Sequence, residues 1–320
     1  MSLALTQRIS VPGIYTLSDP VYLADPVIEP SLNNSTIKEL VGEDGSPAHA
    51  WASHPRLGLA PDAGDGDGDS SEAQDVGHVA HQLFLHGESR IRVLNVTAFR
   101  SDKAKRLRDT ALAEGLIPLK AERYDAVRRV VEALEKFRER TGAFTQGKPE
   151  QTLIWQEGRQ WGRSKVDWLC DEPSAYLWDL KTTTGRASLR SFSRSTFEFG
   201  YDTQGVYYPR GAECVRGEPP AGMKFCVVET RRPYGIKVFE LTPQAIEIAE
   251  AQVRAAIATW ARCRETGEWP GYSDETEWLY PPYWKLKAWE SETRTGRGLM
   301  AVREDPALIA SMMKAGNLGG

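Results

Sequence analysis

Cysteine is scarce, and nothing about its placement suggests a cross-link or a cluster. The four residues, Cys170, Cys214, Cys226 and Cys263, include no CxxC pair. Structural zinc sites and iron–sulfur clusters need closer spacing, so reduced and mostly buried thiols are expected. Long apolar runs are missing as well. No stretch approaches the roughly eighteen to twenty apolar residues of a membrane-spanning helix. The opening segment, MSLALTQRISVPG, is too short in apolar residues for the core of a secretory signal. A cytoplasmic protein with no membrane association is therefore expected. Positive charge is not in surplus either: 40 Lys and Arg stand against 44 Asp and Glu, a net charge of −4. That balance argues against a polycation that coats nucleic acid without selectivity, although a local basic face can still steer a polyanion. Internal repeats are absent.

What is present reads as a globular chain. Hydrophobic content of 41% and charged content of 26% are ordinary for one, and 320 residues can bury a sizeable core. Ten tryptophans and eleven tyrosines add aromatic surface for packing and stacking. One compact domain is expected across residues 1–320. It comprises an N-terminal segment (1–75), a core (76–270) and a tail (271–320). The N-terminal segment is rich in Pro, Asp and Ser, with short helices expected at 35–40 and 47–51. Within it, 61–70 is an acidic low-complexity stretch. Asp65, Asp67 and Asp69 copy the start of a calcium-binding loop, but Ser70 and Val76 stand where that loop wants Gly and Glu. A solvated loop is the better reading.

Apolar spacing then predicts helices at 75–85 and 121–140, the second with Val127, Val130, Leu134 and Phe137 on one face. Between them lies a basic segment, 99–109. The period changes at 151–155, 160–169 and 176–181, which read as three strands separated by Glu157-Gly158 and Asp171-Glu172-Pro173. A helical stretch at 186–214 follows, then strands at 223–230 and 235–241. Thr242 looks like the cap of a final helix at 243–265, with Pro243 at its first position. This order predicts an α/β (α+β) sandwich in which helices flank a central mixed sheet.

The chemistry concentrates in the middle strands. Asp167 and Asp179 are twelve positions apart across one tight turn, so antiparallel pairing brings them side by side. The two-residue period of a strand puts Asp179 and Lys181 on one face, while Leu177, Trp178 and Leu180 are expected to bury the other. Two carboxylates and an ammonium at one surface suit phosphodiester hydrolysis. The carboxylates hold Mg²⁺, and the lysine orients or helps deprotonate water and meets developing negative charge. A lone Asp-x-Lys on a strand is more often a surface ion pair, so the surrounding residues decide. His78 and His81 sit three apart on the helix before the sheet, and Glu150 precedes its first strand. Arg186, Arg190 and Arg194 recur every fourth residue and form either a cationic stripe for a phosphate backbone or a solvated face. Gln204 and Tyr208 stand one helical turn apart.

Taken together, these residues resemble the RecB-like branch of the PD-(D/E)XK nucleases, and more closely the C-terminal nuclease domain of RecE-type exonucleases and their phage relatives. The likeness is carried by Ile14-Tyr15 through Ser46-Pro47-Ala48-His49, by Gly77 to His81, by Asp179-Leu180-Lys181-Thr182-Thr183, by Tyr201, Gln204 and Tyr208, and by Glu268-Trp269-Pro270. It implies that His81, Asp167, Asp179 and the Leu180 carbonyl bind Mg²⁺, with Mn²⁺ able to substitute. It further implies that Lys181 is the catalytic lysine, that Glu150 has a catalytic or second-metal role, and that Tyr201, Gln204 and Tyr208 position DNA or the site. The implied activity is 5′→3′ degradation of double-stranded DNA from its ends, leaving 3′ single strands for an annealing protein in recombination, by a ring-shaped homo-oligomer. The cysteine cluster of iron–sulfur relatives is absent. Alternatives are a single-strand-specific nuclease or an endonuclease of the same fold, or a DNA-end-binding protein without turnover.

Overall fold

The computed structural model describes residues 8–42, 44–58, 72–87, 91–276 and 278–295; the acidic stretch at 61–70 lies outside them. Two compact units are present, residues 1–271 and 272–320. In chain order the first unit contains β1 (Gly13–Thr16), α1 (Asp19–Leu23), α2 (Asn34–Val41), α3 (Pro47–Ser53), α4 (Glu72–His86), β2 (Ile91–Leu94), α5 (Asp102–Ala113), β3 (Ile117–Lys120) and α6 (Ala121–Thr141). It continues with β4 (Gly147–Glu157), β5 (Gln160–Cys170), β6 (Leu177–Thr183), α7 (Leu189–Phe199), α8 (Tyr201–Arg216), β7 (Met223–Glu229), β8 (Ile236–Phe239) and α9 (Pro243–Thr266). The second unit contains α10 (Tyr283–Thr295). No helix among the described residues is long and apolar enough to cross a membrane.

Six strands form a mixed sheet in the order β1-β4-β5-β6-β7-β8, in which only β6 and β7 run parallel. The expected meander is β4-β5-β6. Its first hairpin turns at Gly158, whose φ of 58° suits glycine. A separate parallel pair, β2 and β3, stands apart. Helices cover both faces of the large sheet, as the α/β reading predicts. On one face Val76, Ala80, Leu83 and Phe84 of α4 and Val127, Val130 and Leu134 of α6 meet Trp168, Leu180, Cys226 and Val228. On the other, Ile37 of α2, Tyr207 of α8 and Val253 and Trp260 of α9 meet Leu153, Val166, Leu177, Phe225 and Val227. Leu177 and Leu180 therefore bury opposite faces of β6, not the same one.

Several elements depart from the expectations. The helical stretch at 186–214 breaks at Gly200, whose φ of 70° ends α7 and starts α8. Strands β1, β2 and β3 were not anticipated, being four residues each and without the flanking alternation that marks longer strands. Helix α5 occupies the basic segment; its buried residues are Ala104 and Ala111, too small to give a clear apolar stripe. Cys226 and Cys263 are buried, but Cys170 is half-buried and Cys214 exposed; all four are free.

The N-terminal segment is fastened by a buried polar cluster. Asp25, with φ of 54°, accepts from the Ser31 amide (3.0 Å) and hydroxyl (2.7 Å). Arg163 of β5 donates to the Ser31 carbonyl and hydroxyl, and His54 Nε2 lies 3.5 Å from Asp25. Burial pushes the His54 imidazole down from 6.5 to about 4, outweighing the pull of Asp25. The neutral ring is thus the folded form, so its contribution is full above pH 6.5 and is lost as pH falls toward 4. The expected loss is roughly 3 kcal/mol. Urea melts between pH 7 and 4 should show this loss in the native protein and a shallower one in His54→Gln; parallel profiles contradict it.

A second close fit joins α4 to β6. A Cβ at Gly77 would stand 2.4 Å from Thr182 Oγ1, so glycine lets the helix lie directly on the strand. Gly77→Ala should cost about 1–3 kcal/mol by overpacking. Adding Thr182→Ala should recover part of that; an unchanged or worsened double variant in denaturant titration contradicts the contact.

Candidate active site

Strands β5 and β6 pair at only one position, Trp168 with Trp178. One residue further along, the same register sets Asp167 level with Asp179, and here the strands part. The Asp167 side chain takes over from the backbone ladder: its Oδ2 accepts from the Leu180 amide at 2.7 Å. A backbone donor inside a sheet needs an acceptor, and the aspartate supplies it across the opening. On the other side of β5, the pairs Pro149–Trp168 and Gln151–Val166 set Glu150 level with Asp167. Three acids therefore form a row across β4, β5 and β6.

Helices from opposite faces of the sheet reach this opening. From α4, His81 Nε2 lies 3.1 Å from Asp167 Oδ2. From α8, Gln204 Nε2 donates to Asp179 Oδ1 at 2.6 Å, and Gln204 Oε1 accepts from Lys181 Nζ at 3.2 Å. Lys181 Nζ is also 2.8 Å from Asp179 Oδ2, closing a triangle of Asp179, Lys181 and Gln204. Asp179 and Lys181 share a face, as the strand period predicts. Beneath the ammonium lies the Tyr201 ring, 4.4 Å from Nζ to the centroid, a cation–π contact. Tyr208 packs into the α8 side of the core. Burial, then the charges of nearby acids, push its phenol well above 10, so it stays neutral.

Charges in the cluster hold one another. Burial raises Asp179, and the neighbouring Asp167 adds to that rise against the pull of Lys181 and Gln204. Asp167 is also penalised by burial, but His81, Lys181 and the Leu180 amide together bring it below the usual carboxylate value. For Lys181, burial alone would lower the ammonium; Asp179 and Asp167 outweigh it and raise it. His81 follows the same pattern through Asp167.

Glu150 is engaged differently. Its carboxylate accepts from Gln82 Nε2 at 2.6 Å and lies 3.1 Å from His86 Nε2 and 3.0 Å from Lys165 Nζ. Lys165 is paired in turn with Asp19. Despite burial, these partners hold Glu150 low, and its φ of 47° marks strained backbone. Gln82, His86 and Asp19 were missed from sequence. The available signal for the first two was their spacing, since His78, Gln82 and His86 recur every fourth residue along the helix that carries His81.

The arginine stripe does not survive intact. Arg186 precedes α7, whose cap is Ser188, so only Arg190 and Arg194 lie on the helix. Arg194 pairs with Glu198 at 3.2 Å on a well-exposed surface, the geometry of a solvated i, i+4 pair. Arg186 instead lines a cleft beside Lys181. That cleft, of about 430 Å³, and a second of about 440 Å³ lined by Asp19, His81, Glu150, Asp167 and Leu180 meet at Thr182.

Among the described residues no three His, Cys, Asp or Glu side chains are gathered as a ready metal cage. The donor set nevertheless fits a hard divalent cation. Asp179 Oδ2 is buried and, its ion pair with Lys181 aside, accepts no hydrogen bond. Asp167 stands beside it, His81 adds a nitrogen, and Leu180 lines the same cleft.

The fold has a relative of known structure. A crystal structure of a protein from Eubacterium rectale, provisionally named an exonuclease, superposes with a TM-score of 0.54 at 13% identity, covering 84% of this chain and 96% of that one. No curated protein matches the sequence. Residues 35–280 match the model of a PDDEXK-like domain of unknown function, DUF3799. The match spans β4, β5, β6 and the helices that carry His81 and Gln204, and the chain belongs to this PDDEXK-like family.

Proposed function

We propose that the protein is a divalent-cation-dependent deoxyribonuclease acting from the ends of linear DNA. The observation that carries the reading is the buried Asp167, Asp179 and Lys181 set at the parting of β5 and β6, joined by His81 and Gln204 from two helices. Its setting in a PDDEXK-like domain supports phosphodiester hydrolysis. The name given to the E. rectale protein favours an exonuclease over an endonuclease. Direction 5′→3′, duplex substrate, an annealing partner and a ring of subunits belong to the same proposal and rest on the resemblance to RecE-type enzymes.

Asp167 and Asp179 would hold Mg²⁺ or Mn²⁺, with His81 and the Leu180 carbonyl completing the set. Bound there, the cation supplies Lewis acidity toward the phosphate and makes a water more acidic. Lys181 would act beside the cation. Held 2.8 Å from Asp179 Oδ2 and 3.2 Å from Gln204 Oε1, it would stabilise charge developing on the phosphate and orient or help deprotonate the attacking water. Gln204 positions the pair: one amide group donates to the aspartate and accepts from the lysine, so neither side chain can rotate alone. Glu150, already bonded to Gln82, His86 and Lys165, braces α4 against the sheet and thereby places His81.

Purified protein with linear duplex labelled at the 5′ or 3′ end, with Mg²⁺ or EDTA and beside a closed circle, tests the reading. Mg²⁺-dependent release of the 5′ label from linear DNA alone is expected. Cutting of the circle moves the assignment to an endonuclease, and no cutting with any divalent ion removes the enzyme. Asp179→Asn, which keeps the size of the side chain, should lower the rate at least about a hundredfold. Lys181→Ala should lose rate while Mn²⁺ affinity is retained or tightened; equal loss of both argues against its role as a charge stabiliser.

A further inference from the structure

Strands β6 and β7 are the parallel neighbours of the large sheet, so the loops that follow them leave it at the same end. Lys181, Thr182 and Thr183 lead toward that end. Each loop carries exposed arginine: Arg186 after β6, and Arg231 and Arg232 after β7. None of the three forms an ion pair among the described residues. In a chain of net charge −4, three unneutralised guanidinium groups at one end of the sheet are a local surplus of positive charge, able to act on a polyanion.

Glu229, the last residue of β7, ties the two loops together. Its Oε1 accepts from the Ala187 amide at 2.9 Å and its Oε2 from the Gly235 amide at 3.3 Å. One carboxylate thus holds the residue after Arg186 and the residue that closes the turn of Arg231 and Arg232. Gly235 leaves the room for it, since a Cβ there would stand 3.2 Å from the Glu229 carboxyl carbon. Beside it the Thr230 amide donates to the Thr183 carbonyl at 2.8 Å, which carries the contact between the chains one residue past β7. Tyr234, the one aromatic residue of the second loop, packs against the core on the α4 and α6 side. The loop therefore offers charge and no ring for stacking. A carboxylate among arginines ordinarily pairs with one; here both oxygens go to backbone donors.

We propose that Glu229 is a positioning residue, which fixes the loops of Arg186 and of Arg231 and Arg232 as one grip on the phosphate backbone of bound DNA. The inference rests on the nuclease reading and adds to it a hold on DNA that is independent of base sequence. Charge alone gives the opposite expectation for this acid. Removing a carboxylate near three guanidinium groups strengthens their attraction for DNA, whereas removing the tie that places them weakens it. The two effects differ in sign, so one measurement separates them.

The test uses the full chain carrying Asp179→Asn, so that DNA stays intact, and a linear duplex with a fluorescent end label, titrated by anisotropy in Mg²⁺ across a range of KCl. Arg231→Ala with Arg232→Ala should flatten the dependence of log affinity on log salt by about two, and Arg186→Ala by about one. Glu229→Ala, with all three arginines present, should weaken binding and flatten the slope by at least about one. In a chain that lacks the three arginines, Glu229→Ala should weaken binding no further. Glu229→Gln keeps one accepting oxygen and should fall between; it carries the same comparison where circular dichroism shows that the alanine variant does not fold. With Asp179 restored, Glu229→Gln should raise KM more than it lowers kcat. Tighter binding by Glu229→Ala, an unchanged salt slope in the arginine variants, or equal weakening with and without the arginines overturns the proposal and leaves the nuclease reading standing. Absence of binding to DNA by any form, with no cutting by the native protein, overturns both.

Discussion

The site depends on the place where β5 and β6 stop pairing. A sheet that splays must find acceptors for the amides it exposes, because an unpaired donor in the interior is costly. Asp167 meets the Leu180 amide, and in doing so is itself held inside the sheet, level with Asp179. Without that opening, helices on opposite faces could not reach a common point. With it, His81 of α4 and Gln204 of α8 converge on neighbouring aspartates.

Burying acids so close together brings a second constraint. Each carboxylate is unfavourable away from water unless charge and hydrogen bonds compensate. The compensation is local and specific: His81 and the Leu180 amide for Asp167, Lys181 and Gln204 for Asp179, and Lys165, His86 and Gln82 for Glu150. The same contacts that make the cluster tolerable also aim it. Gly77 lets α4 lie on β6, and Gly200 turns α7 into α8, so two glycines set the approach of both helices.

Much of this was legible in the sequence because period and chemistry agreed there. The strand period put Asp179 and Lys181 on one face, apolar spacing located α4 and α6, and Thr242 with Pro243 marked the start of α9. The family likeness drew His81, Gln204 and Tyr201 into the same place. What escaped was set by tertiary contact rather than by local pattern. Strands β2 and β3 are short and pair across a whole helix, and α5 buries only small residues. Arg186 looked continuous with Arg190 because four-residue spacing cannot show where a helix begins. Glu150 could be placed beside the acids, but its three partners come from two other elements. Leu177 and Leu180 illustrate a further limit: a strand buried on both faces has no apolar alternation to read.

The central claim is that Asp167 and Asp179, now occupied by His81 and Lys181, together form a divalent-cation site at the parting of the strands. A crystal structure of the protein grown with Mn²⁺, with anomalous data collected, tests it most directly. The account predicts an anomalous peak between the two carboxylates and the Leu180 carbonyl, with Lys181 still bonded to Gln204. Mn²⁺ absent from that position, with the His81–Asp167 and Lys181–Asp179 pairs unchanged, would contradict it.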